Sequence, residues 1–441
     1  MKPWDGGSEL SHSSTEHAPS GYPVSHIIIS HFPDFPMLFT PVTFGPLRLR
    51  NRAIRSAAFE SMCPGNKPSE MLLDYHRSVA AGGVGMTTVA YAAVTRSGLS
   101  FDRQLWMRPE IVPGLLKLTD AVHHHGAAVS IQLGHCGNMS HKSICGCLPV
   151  GASSGFNLYS PTFVRGLKAD ELPDLARAYG DSVRLARDAG FDAVEVHAGH
   201  GYLISQFLSP YTNHRRDSFG GSLENRMRFM DMVMEEVMRA AEGDMAVFVK
   251  MNMRDGFRGG MDIDESLQVA RRLEQSGAHA LVLSGGFVSR APMYVMRGEM
   301  PIRTMTHYMT SWWLKYSVRM FGKMMVPGVP FTEAYFLDDA LRFREALRIP
   351  LVYVGGLVSR EKIEEVLGHG FQAVQMARAL LREPDFVNRM RREEKARCQC
   401  YHSNYCIARM YSLEMACHQP IDDQLPPAVR REIAKLEEGV K

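Results

Sequence analysis

Eight short runs of β-branched and small apolar residues recur along the chain, and a stretch of helical spacing precedes each of the last seven. The runs are Ala53–Ala58, Val84–Tyr91, Ala127–His135, Asp192–His197, Met245–Asn252, Ala278–Gly286, Ile349–Gly356 and Phe371–Arg378. Strands apolar on both faces belong in a parallel sheet covered on both sides. Helices such as NRMRFMDMVMEEVMRAAEG and DESLQVARRLEQSG supply the covering layer, each closed by Gly or a short polar turn. Eight such units in about 340 residues predict an α/β fold, a (β/α)8 TIM barrel, in preference to an open doubly wound sheet. No G-x-G-x-x-G follows the first strand, which counts against the dinucleotide-binding alternative.

Three stretches depart from the repeat. Residues 1–36 are rich in Ser, His, Pro and Gly without sustained periodicity, and a disordered tail is expected there. The barrel is expected over 37–395. The segment 287–336 after the sixth strand is too long for a connector and rich in Met and aromatics. It predicts either an extra helical pair covering barrel or subunit surface, or a lid over the substrate pocket. Residues 396–441 form a tail containing Cys398, Cys400, Cys406 and Cys417.

Composition narrows the picture without redirecting it. Hydrophobic content of 45% and charged content of 22% are those of a globular protein. A net charge of +3 gives no reason to expect a nucleic-acid or membrane partner. No apolar run reaches the ~18–20 residues of a spanning helix, and the first residues lack the pattern of a secretory signal. A cytoplasmic enzyme acting on small molecules, with homo-oligomers possible, is the expectation. In that setting a cysteine cluster suggests metal, or the remnant of a metal site, more than disulfides.

Barrels assemble function at the C-terminal ends of their strands. Those ends offer Ala57 and Ala58 on strand one, Gln132 on strand three, and His197, His200 and Tyr202 after strand four. Lys250 ends strand five, Gly355 and Gly356 end strand seven, and Ala377 and Arg378 end strand eight. A Gly-Gly turn with an arginine one strand later suits an anion such as phosphate. Lys250, in an otherwise apolar strand, faces either a cavity or a counter-charge, and suits a Schiff base or an anionic cofactor equally. Two imidazoles and a phenol within six residues can donate and move protons.

The sequence resembles the old yellow enzyme family of FMN-dependent NAD(P)H oxidoreductases. The likeness rests on IQLGHCG, the stretch HAGHGYLISQFLSPYTNHRRDSFGGSLENR, VKMN, and YVGGL with MARALLREP, and covers roughly 37–389. The His-x-x-His spacing is similar to the branch holding dienoyl-CoA reductases and bacterial ene-reductases. The resemblance implies FMN across the barrel mouth, its phosphate at Gly355, Gly356, Ala377 and Arg378. Gln132 and Lys250 would meet the flavin ring, with Ala57 and Ala58 passing beside it. His197 and His200 would hold the carbonyl oxygen of an electron-poor alkene. Hydride from flavin N5, replenished by NAD(P)H in ping-pong fashion, would reduce the alkene, and Tyr202 would supply the proton. Arg215, Arg216, Asp217 and Glu224 fit a salt-bridge network and are left out of the site.

The pattern breaks in three places. Ser403 stands where a second cluster cysteine is expected beside Cys400, Cys406 and Cys417, so an iron–sulfur cluster is not expected and a vestigial or zinc-binding tail is. Ala377 replaces a glycine before Arg378. Phe59 and Glu60 follow strand one, where a small hydroxyl or thiol is usual. The competing readings are a flavin-dependent amine or N-methyl dehydrogenase and a non-flavin lyase using Lys250 as a Schiff base.

Overall fold

The computed structural model describes residues 37–157, 161–307, 309, 311–410, 413–418 and 425–438. The tail expected over 1–36 lies outside the described residues. Eight parallel strands close on themselves: β1 (Ala53–Arg55), β2 (Met86–Ala93), β3 (Ala128–Gly134), β4 (Ala193–Ala198), β5 (Ala246–Asn252), β6 (Ala280–Ser284), β7 (Leu351–Val354) and β8 (Ala373–Met376). The ladder runs in chain order and returns from β8 to β1, where Gln375 pairs Ile54 and Met376 pairs Arg55. The barrel read from the apolar runs is present; six of its strands are shorter than those runs, while β2 and β4 keep the length of their runs and end one or two residues later.

Helices Glu70–Ala81, Val112–His123, Leu172–Asp188, Leu223–Ala241, Ile263–Gln275, Leu337–Ala346 and Arg360–Gly368 cover the outside. Their starts are written in sequence: Ser69, Ser222, Asp262 and Ser359 each cap a helix by accepting a backbone N–H. A hairpin of Val42–Phe44 and Leu47–Leu49 closes the N-terminal end of the bore. Phe44 packs its ring 5.0 Å from that of Phe248, in a buried cluster with Leu49, Ile54, Val282 and Val352.

Among its described residues the insertion holds three helices, Pro292–Met296, Ile302–His307 and Trp312–Met325, where an extra helical pair or a lid was anticipated. Arg297 at φ +55 ends the first helix, and Pro301 starts the chain towards the second, so one periodic stretch splits in two. The expected salt-bridge network appears in part. Arg215 pairs with Asp217 at 2.5 Å, and Glu224 meets Arg272 at 3.4 Å.

Candidate functional site

The rim of the barrel is built on a buried polar network inside the bore. Lys250 and Glu195 pair at 2.8 Å with their side chains 2% exposed. Glu195 also accepts hydrogen bonds from Gln132 Nε2 at 2.7 Å and Gln375 Nε2 at 2.8 Å. Ser56 closes the ring, accepting from Lys250 Nζ at 3.2 Å and donating to Gln375 Oε1 at 2.9 Å. A buried ion pair is retained at such cost only when its remaining hydrogen-bonding capacity is met, and here both oxygens of Glu195 are engaged. Burial lowers the Lys250 pKa, and Glu195 works against that shift.

An open cleft of about 870 Å³ of unfilled space, mouth included, lies over this network. Of the anticipated cofactor residues, Ala57, Ala58, Lys250, Gly356, Ala377 and Arg378 line it, together with His200. Gln132 and Gly355 are not on its wall; the Gln132 amide is turned to Glu195. The insertion contributes Val295 and Met296 to the same cleft, so it both covers surface and shapes the pocket. The tail reaches it too. His402 lines the cleft and stacks on Phe331 at 3.5 Å. Asn404 accepts from Arg378 Nη1 at 2.6 Å while donating to the carbonyls of Arg297 and Glu299 at 2.7 and 3.1 Å.

The cleft suits an elongated anionic cofactor such as FMN. Gly356 sits at φ +71, and a Cβ there would come within 2.6 Å of the Tyr335 ring, so the backbone must be bare for a close approach. Ala377 takes φ −104 and ψ −77, at the margin of the right-handed region and with negative φ, so this position does not demand a glycine. Arg378 and Lys250 supply positive charge at two points of one wall. Glu60 does not face this cleft as a flavin-tuning group. It is buried against Arg55 at 2.6 Å and accepts the Ala90 N–H at 3.2 Å.

His197, His200 and Tyr202 come together at the end of β4. The His197 ring lies 5.1 Å from that of His200 and 4.4 Å from that of Tyr202. His200 occupies a left-handed turn at φ +58, held by its N–H on Asn252 Oδ1 at 2.9 Å. Asn252 is fixed in turn by donating to Asp255 and to the carbonyl of Gly286. The His200 Nε2 meets Ser284 Oγ at 2.7 Å. Desolvation, with Lys250 nearby, pushes His200 down to about 3; His197 lies well below its ordinary value from desolvation, His200 and Lys250. Both imidazoles are therefore neutral near pH 7, each with one N–H to donate. The Gly199 N–H points at His197 Nδ1 from 3.4 Å, a weak contact that favours the Nε2–H tautomer.

Sequence reasoning passed over Ser56, Tyr91, Glu195, Asn252, Ser284 and Gln375. Tyr91 packs its ring 4.9 Å from Tyr202 and 6.0 Å from His197, its hydroxyl on the Gly98 carbonyl at 2.9 Å. A signal for Glu195 and Gln375 was present: each is a lone polar residue in an apolar strand, like Lys250.

The tail cysteines lie behind that site, on the far side of Arg378 and His402, which line both cavities. Cys400, Cys406 and Cys417 line a smaller cavity with Arg378, Ser403 and His418. Burial pushes Cys406 up to about 12, so its thiol stays protonated. Among the described residues no group of three or more His, Cys, Asp or Glu is placed to hold a metal ion.

The family model of NADH:flavin oxidoreductase / NADH oxidase matches residues 37–316. The chain is 39% identical over 378 residues to the 4,4'-dithiodibutanoate disulfide reductase of Rhodococcus erythropolis, covering 86% of this chain and 94% of the relative. It is 28% identical over 354 residues to the NADPH dehydrogenase of Bacillus subtilis strain 168, covering 79% and 93%. Of two longer relatives it spans about half, 48% and 50%. A solved 2-naphthoyl-CoA reductase complex shares the fold at a TM-score of 0.73 and 21% identity, covering 90% of this chain and 58% of that one. With flavin as the family's cofactor, a lyase using Lys250 falls away. The chain belongs to the NADH:flavin oxidoreductase / NADH oxidase family and is an NAD(P)H-dependent flavin oxidoreductase of the old yellow enzyme kind.

Proposed function

We propose that this oxidoreductase reduces an electron-poor C=C bond conjugated to a carbonyl group. The observation that carries the reading is the pair of neutral imidazoles at positions 197 and 200 with a tyrosine ring 4.4 Å from the first. FMN held by Gly356, Ala377, Arg378 and Lys250 would supply hydride drawn from NAD(P)H. His197 and His200 would donate hydrogen bonds to the carbonyl oxygen, where negative charge grows as the alkene is reduced. Neutral donors suit this task, because they stabilise the oxygen without first being neutralised by it. Tyr202, at the start of helix Leu203–Leu208, would deliver the proton to the α-carbon. The apolar rings of Tyr91 and Tyr202 would exclude water beside it.

A second reading has its own support. The relative at 39% identity is named for reduction of a dicarboxylate disulfide, and the chain spans 94% of it. An anaerobic experiment separates the two. The flavoprotein is bleached with NADPH, then mixed with 2-cyclohexenone or with 4,4'-dithiodibutanoate. Rapid re-oxidation by the enone is expected. Re-oxidation by the disulfide alone would reject the alkene reading.

A further inference from the structure

The helix Trp312–Met325 faces the wrong way for a helix that only covers a barrel. Its inner side is small: Gly322 is buried where a Cβ would come within 2.9 Å of Ile302 Cδ1, and Arg319, exposed at the flank, donates from Nε to Thr306 Oγ1 at 3.0 Å. Its outer side carries Trp312, Trp313, Tyr316, Met320, Phe321 and Met324, exposed by 73, 56, 60, 73, 46 and 75%. At 100° per residue, Trp313, Tyr316, Met320 and Met324 share one arc, and Lys323, Arg319 and Lys315 follow one another along its edge. This exceeds the scattered exposed apolar residues that any surface tolerates.

We propose that this helix is a docking surface for an anionic phospholipid membrane, lying in the headgroup plane without crossing it. Charge selects this occupant. From Met300 to Thr332 the sequence contains Arg303, Lys315, Arg319 and Lys323 and no Asp or Glu. The local excess of positive charge is larger than the net +3 of the whole chain, which is why the whole-chain balance gives no hint of it. Lys323 meets its nearest carboxylate, Glu299, only at 3.9 Å with its side chain 83% exposed, so it is available to a phosphate headgroup. A second copy of the chain is disfavoured by the same charges. Two such faces brought together would set the cations of one beside those of the other, with no carboxylate in the segment to pair them. Tryptophan and tyrosine favour the membrane interface, and cationic stems beside an apolar arc are the pattern of interfacial helices. At 14 residues the helix is about 21 Å long, enough to lie across several headgroups. The docking helix and the cleft wall at Val295 and Met296 belong to one inserted segment.

The test uses the full-length flavoprotein and sedimenting vesicles of phosphatidylcholine, alone or in equal mixture with phosphatidylglycerol. Binding to the mixed vesicles is expected to exceed that to neutral ones by at least about tenfold, since each cation near an anionic leaflet strengthens binding about fivefold. It should weaken in high salt and shift tryptophan emission to the blue. The variant Trp312→Ser/Trp313→Ser/Met320→Ser should lose binding while keeping flavin absorbance and NAD(P)H oxidation, and Lys323→Glu should weaken binding about tenfold or more. No binding to either vesicle, or equal binding to both, would overturn the proposal. So would a dimer, seen by analytical ultracentrifugation, that the triple variant converts to monomer with no vesicle binding by the parent.

Discussion

The two ends of the barrel bore are filled with opposite chemistry, although the same strands supply both. One layer is apolar: Ile54, Ala193, Phe248 and Ala373, plugged from outside by Phe44 and Leu49. Two residues further along each strand the layer is polar: Ser56, Glu195, Lys250 and Gln375, joined by Gln132. The strand period of two fixes which residues point inward, and one repeat of two residues along each strand turns core into site. The lower layer depends on filled volume and the upper one on complete pairing, so the two should fail differently when disturbed.

The largest effect is expected above the polar layer. Tyr202→Phe should slow re-oxidation by an enone by about 10²–10⁴-fold and leave reduction by NADPH close to the parent rate, as read by stopped-flow absorbance. Unchanged rates in both halves would remove Tyr202 as the proton donor. Next comes the apolar layer. Phe248→Ala should cost about 3–5 kcal/mol in urea unfolding through the void it leaves against Phe44, with turnover per folded molecule retained.

The polar layer gives a sharper contrast. Glu195→Gln removes one partner of a buried ion pair and should cost about 3 kcal/mol. Adding Lys250→Met to it should restore most of that stability while flavin binding stays weak, a coupling that no pair of volume changes would show. If the double variant is as unstable as the sum of its parts, the network is not organised around the pair.

The smallest effect near neutral pH is a slope. His200 takes up its proton at about 3 when folded and near 6.5 when unfolded, so below pH 6.5 the unfolded chain binds the extra proton. Stability is therefore expected to fall as pH drops from 6.5 towards 3, and to be indifferent to this group above 6.5. His200→Asn should flatten the urea-derived stability profile in that window by up to about 1.4 kcal/mol per pH unit. The same slope in parent and variant would place the acid-sensitive group elsewhere, among His76, His135, His197 and His402, which burial also holds low.

The lower layer and the helices around it were legible in sequence because period and capping are local properties. So were His197, His200 and Lys250, each a polar residue where an apolar run ends. The Glu195 network was not, for a physical reason: its bonds join residues 63, 180 and 319 positions apart, and only closure of the barrel brings them together. The three-helix form of the insertion was missed although Gly298 and Pro301 mark the break, because the Met and aromatic residues on either side dominate the pattern and the positive φ of Arg297 is not visible in sequence. The tail was expected as a vestigial or zinc-binding segment; its His402, Ile407 and Met415 line the cleft because packing against the insertion, not residue type, gives them their place.

Asn404 has a consequence beyond the site. One carboxamide ties the residue that begins the last helical turn of the barrel, the carbonyls of the insertion at Arg297 and Glu299, and the tail itself. Three segments that lie more than a hundred residues apart at their extremes are thereby coupled through one side chain. Opening of the tail takes a donor from the insertion's carbonyls and an acceptor from Arg378 in one step. In amide exchange the three should lose protection together, at one shared free energy, and any anion bound at Arg378 should raise that energy for all of them at once.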